Sequence, residues 1–92
     1  MRLKYSFELM ELEDEMIAVP VGDSVQMFHG VIKLNETSTD IFNLLRNDIS
    51  TEEIVDAMEK IYDVKRPDLE REVTHFIKEF DQRGLLINEN NC

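Results

Sequence analysis

VIKLNETSTDIFNLL, residues 31–45, changes its hydrophobic period midway. Val31, Ile32 and Leu34 read as a strand, while Ile41, Phe42 and Leu45 recur at helical spacing. Between them Asn35 or Thr37 can cap the helix by accepting bonds from its free N–H groups, and Glu36 and Asp40 set negative charge near its positive end. A sheet that passes so abruptly into helices implies an α+β domain.

Upstream, YSFELMEL (5–12) alternates, with Tyr5, Phe7, Leu9 and Leu12 on the apolar side of a half-buried strand. Glu13, Asp14 and Glu15 form a tight polar connection to a second strand, Met16 to Val19. Pro20 ends that strand or marks a sheet edge, because proline cannot donate to a ladder. VGDSVQMFHG (21–30) contains a turn at Gly22-Asp23-Ser24, a short apolar piece from Val25 to Phe28, and a second turn at His29-Gly30. Connections this short require antiparallel pairing with Val31–Leu34 as the third strand.

Downstream, Asn47 and Asp48 break the first helix, and Ser50 with Glu53 writes a capping box for the second. Ile54, Val55, Met58 and Ile61 share its apolar face. Pro67 suits the first turn of a third helix, along which Leu69, Val73, Phe76, Ile77 and Phe80 make one stripe. Gly84 stops it, and Leu85, Leu86 and Ile87 can fold back onto the core. The expected architecture is a small antiparallel three-stranded sheet within 5–34, a three-helix bundle within 36–83 and a C-terminal tail at 85–92, one winged-helix-like domain over 1–92. Phe7, Leu34, Ile41, Phe42, Leu45, Ile54, Val55, Met58, Val73, Phe76, Ile77 and Phe80 should dominate the core, each contributing roughly 1.5–3 kcal/mol by burial. Met10, Met16, Met27 and Met58 are read as core fillers in preference to an adaptable surface.

Twenty acidic and 10 basic residues give a net charge of −10. The excess is spread along the chain: residues 1–34 carry 3 basic and 6 acidic groups, net −3, and residues 35–92 carry 7 and 14, net −7. Such a surface repels phosphates, which argues against nucleic acid and against an anionic membrane surface as partners. No apolar run approaches the ~20 residues of a membrane span, and MRLKYSFELMELEDE lacks the apolar region of a secretion signal, so a cytoplasmic location is expected. The lone Cys92 allows no internal disulfide.

Chemistry-bearing patterns are missing. His29 and His75 have no His or Cys at metal-ligand spacing, and Glu11, Glu13, Asp14 and Glu15 lack the glycine and spacing of a calcium loop. Three glycines form no phosphate-cradling motif, and no nucleophile has a motif-set base. The expectation is a protein without catalysis, metal or cofactor that binds through its shape.

Taken in order, VIKLNETSTDIFNLL, STEEIVDAMEKIYDV and VTHFIKEFDQRGLL resemble the PqqD family, named from pyrroloquinoline quinone biosynthesis. The likeness runs from about Leu3 to Ile87, and Leu34-Asn35-Glu36-Thr37 is its most specific word. It implies a non-catalytic peptide chaperone, with the fold that also serves as the recognition element of ribosomally made, modified peptides. Such a domain binds the leader of a precursor peptide and presents it to a modifying enzyme, often a radical S-adenosylmethionine (SAM) protein. The resemblance implies that the leader adds along Val31, Ile32, Lys33 and Leu34 and lies against Glu72, His75, Phe76, Glu79, Phe80 and Arg83.

A sheet edge can give a flexible peptide main-chain hydrogen bonds while an adjacent groove takes its side chains. The acidic surface would favour a leader with some Lys or Arg. Other roles stay open for these residues: Phe76 and Phe80 suit the core, and Lys33, His75 and Arg83 suit solvated faces. VGDSVQMF is longer than the connection in members devoted to quinone synthesis, so the resemblance assigns no pathway. A winged-helix transcriptional regulator, or a scaffold that holds a partner protein without a leader, is the alternative function.

Overall fold

A computed structural model of the protein describes residues 1–28 and 30–87. The elements run β1 (Arg2–Leu3), β2 (Phe7–Leu12), β3 (Glu15–Pro20), α1 (Ser24–Met27), β4 (Ile32–Leu34), α2 (Glu36–Leu44), α3 (Thr51–Ile61), α4 (Arg66–Gln82) and β5 (Leu86–Ile87). The three-stranded antiparallel sheet and the three longer helices are those expected from the sequence. The expectations placed on His29 and Cys92 lie outside the described residues.

The sheet has the order β2-β3-β4, so β2 and β4 are both edges. Glu13 and Asp14 join β2 to β3 with φ of 49° and 68°. Two left-handed residues in a two-residue loop match the twist of the flanking strands, although Asn-Gly would adopt them more easily. Register then fixes the faces. Phe7, Leu9, Ala18, Ile32 and Leu34 look inward, while Met10, Ile17, Val19 and Lys33 look outward.

Leu12 departs from expectation: it lies an odd number of residues from Phe7, so it falls on the outer face and is exposed. Pro20 ends its strand as expected, and that strand is the central one, not an edge. Its missing N–H would have faced β4, whose pairing stops at Ala18–Ile32, so no ladder bond is lost.

The helix starts follow local chemistry. Asn35 caps α2 by accepting from the Ser38 N–H at 2.8 Å, while Ser38 Oγ accepts from the Asn35 N–H at 2.8 Å. Thr37 therefore lies inside the helix. Ser50 and Glu53 form the expected reciprocal box on α3 at 3.1 and 3.0 Å. Pro67 occupies the first turn of α4, and Gly84 follows its end with φ of 73°, a conformation that costs glycine little.

Eleven of the twelve expected core residues are buried; Ile77 is only half-buried. Met1, Leu3, Ala18, Ile32, Leu69 and Leu85 join them. Met58 fills the core and Met16 packs against it, but Met10 and Met27 are 53% and 70% exposed, against the expectation. Met10 sits on the outer sheet face, and Met27 on α1, a single helical turn with no buried residue.

Three further differences concern the ends of strands. The first long strand begins at Phe7, and Tyr5 instead packs its ring near Phe28. Val31 precedes β4 and is 50% exposed. The ribbon β1–β5 pairs Arg2 with Ile87 and Leu3 with Leu86, joining the two ends of the described fold through strands too short to show a period.

All five phenylalanines form one run of ring contacts through the molecule. Phe28 meets Phe7 edge-on at 5.5 Å, Phe7 meets Phe42 at 5.6 Å, Phe42 meets Phe80 at 6.4 Å, and Phe80 stacks on Phe76 at 4.1 Å. The run begins under the sheet and ends beneath the free edge of β4.

Candidate functional site

The hydrogen-bonding phase of β4 follows from one bond at the far end of the sheet. Val21 N–H donates to Ser6 O at 3.0 Å. That makes Phe7–Pro20 a non-hydrogen-bonded pair, and alternation carries the phase across the ladder. Ile32 and Leu34 thus exchange their main-chain bonds with Ala18 and Met16. The N–H and C=O of Lys33 point outward, away from the sheet.

Beside this edge lies a groove of about 220 Å³. Ile32, Leu34 and Ile41 form one apolar wall, and Phe76 and Phe80 on α4 form the floor. The two rings are 8% and 4% exposed. Glu72, His75, Glu79 and Arg83 stand along the α4 rim, with His75 Nε2 3.6 Å from Glu79 Oε2. The helical period of four and three puts these side chains and the two phenylalanines on one side of α4.

Nine of the ten residues singled out from the sequence line this groove together; Val31 does not. Asn35, Thr37, Ser38 and Ile41 also line it. In the sequence Asn35 and Thr37 read only as candidate helix caps, with nothing to announce a place on the groove wall. Lys33 turns its side chain to the outer face, where its Nζ is 3.9 Å from Glu15 Oε2.

One tie holds the wall in place. Tyr62, just before α4, donates from Oη to Asp40 Oδ2 on α2 at 2.5 Å. That bond, followed by partial burial and the charges of Asp40 and Glu36, raises the phenol from its ordinary 10.0 to about 12. The tie fastens α2, the helix that follows β4, to the end of α3 and the connection into α4.

Among the described residues no three of His, Cys, Asp or Glu come together to hold a metal ion. No described helix is long and apolar enough to cross a membrane. The arrangement defines a class of small α+β domain in which one open sheet edge runs beside an apolar groove, with geometry suited to an added strand.

The family model described as coenzyme PQQ synthesis protein D (PqqD) matches residues 9–86, and the chain belongs to that family. Among solved structures it is similar to one described as TbiB1 in complex with the TbiA(beta) leader peptide. The two are 27% identical with a TM-score of 0.71, and the alignment covers 94% of each chain. No curated protein matches the chain.

Proposed function

We propose that this protein binds the leader of a ribosomally synthesised precursor peptide as an added strand on β4 and presents it to a modifying enzyme, of which a radical SAM protein is the candidate class. The observation that carries the reading is the outward peptide group of Lys33 set beside the groove over Phe76 and Phe80. Membership of the PqqD family and likeness to a chain solved with a leader peptide support it. An antiparallel partner residue would exchange two main-chain bonds with Lys33, while alternate side chains descend toward the phenylalanine floor.

Ordering a disordered leader costs entropy, so isolated leader fragments should bind at micromolar or weaker affinity. The test is a titration of isotope-labelled protein with the leader of a precursor encoded beside its gene. Shifts should concentrate at residues 31–34 and along 72–83. A leader that binds but perturbs neither segment would remove the groove from consideration.

A further inference from the structure

The groove rim is electrically uneven from end to end: Glu72 stands at one end and Arg83 at the other, with Glu79 a turn before Arg83 and 3.6 Å from His75 Nε2. Glu72 and Arg83 form no ion pair and no side-chain hydrogen bond among the described residues, so both charges are available to a ligand. Ring and hydrogen-bond contacts order the two ends. Tyr62, which closes α3 four residues before α4 begins, reaches Asp40 in α2, the helix that follows directly from Leu34. Phe80, near the α4 end, meets Phe42, which meets Phe7 at the Val31 side of the sheet. Glu72 therefore lies toward Leu34, and Arg83 toward Val31. Beyond Leu34, an adjoining cleft that shares Leu34 and Asn35 with the groove adds Glu11, Asp14, Glu15, Glu36 and Asp40, of which Glu15 pairs with Lys33 and Asp40 with Tyr62.

We infer that the groove selects the charge order of its peptide: a cationic side chain at the Glu72 end, an apolar one over Phe76 and Phe80, and an acidic one at the Arg83 end. The inference rests on the strand-addition reading above. Glu72 and Arg83 are about 16 Å apart along the axis at ~1.5 Å per residue. Groove-facing side chains of a strand recur every second residue, and four residues cover about 13 Å at ~3.3 Å each, with long side chains spanning the remainder. Antiparallel pairing, slightly the more stable kind, runs the peptide from Glu72 toward Arg83. The recognised pattern is then Lys or Arg, two residues later an apolar side chain, and two residues later Asp or Glu.

The probes are two acetylated, amidated peptides of otherwise Thr and Val residues with a central Leu, one with Lys before and Glu after it, the other with the charges exchanged. At low salt the Lys-first peptide should bind about fivefold tighter, a ratio that shrinks as salt is added. The double variant Glu72→Lys with Arg83→Glu has the same net charge and should invert the preference. Equal affinity for both orders, or failure of both peptides to bind while the neighbouring-gene leader binds, overturns the charge order. Failure of the leader and both peptides alike overturns the strand addition beneath it.

Discussion

The two edges of the sheet are treated in opposite ways. β2 is the longer, with six residues, yet its outward carbonyl at Phe7 is taken by Arg46 Nη1 at 3.2 Å. The same guanidinium lies 5.5 Å from the Phe42 ring and is held by Asn43, so it is a fixed cover over the end of that edge. β4 has only three residues, and its one outward peptide group, at Lys33, faces a groove. Length of free edge is therefore a poor guide to where a strand would add. A charged cover blunts one edge, and an apolar trough beside the other gives an incoming chain somewhere to bury side chains.

The largest expected effect strikes at that contrast directly. Lys33→Pro removes the outward N–H of β4 while leaving the bonds to β3, so it should keep far-ultraviolet circular dichroism intact and weaken leader binding at least about tenfold. Glu11→Pro removes an equivalent outward N–H from β2 and should leave the affinity unchanged. Similar losses in both variants, read by calorimetric titration, would erase the distinction between the edges.

A smaller effect is expected from uncovering β2. Arg46→Ala should cost about 1 kcal/mol in denaturant unfolding through its bond to Phe7 O and its contact with the Phe42 ring. It should also introduce concentration-dependent association, seen by sedimentation. A variant that stays as stable and as dispersed as the parent would show that Arg46 guards nothing.

The smallest effect concerns the tie behind β4. A raised phenol means that the folded state holds the Tyr62 proton more tightly than the unfolded state. The stabilisation should thus be complete below pH 10 and be lost as pH climbs toward 12. Ultraviolet titration should show Tyr62 ionising late, near pH 12, and Tyr62→Phe should remove that late step. A Tyr62→Phe variant that loses no absorbance change near pH 12 would break the proposed anchoring of β4.

Much of this contrast was legible in the residues. The change of period across 31–45, the Ser50–Glu53 box and the stripe on α4 are local signals, and they gave the sheet and the helices, while the groove-side residues of α4 came only with the resemblance to the PqqD family. What escaped depends on partners far along the chain. Leu12 is the exception, for its odd separation from Phe7 within one strand already puts it on the outer face. Met10 and Met27 have the composition of core fillers, but which face an element turns inward is decided by packing. Arg46 guards β2 from 39 residues away, and two-residue ribbons such as β1–β5 carry no periodicity at all.

The run of phenylalanine rings has a consequence for how binding free energy would divide. Phe76 and Phe80 are already desolvated and wedged against their neighbours before any peptide arrives, so their side-chain freedom is spent in folding. The ordering cost of occupancy would then fall almost wholly on the peptide, at about 0.5–1.5 kcal/mol for each side chain it immobilises. Bracing a peptide into an extended shape should tighten its hold, while stiffening the protein further should change little.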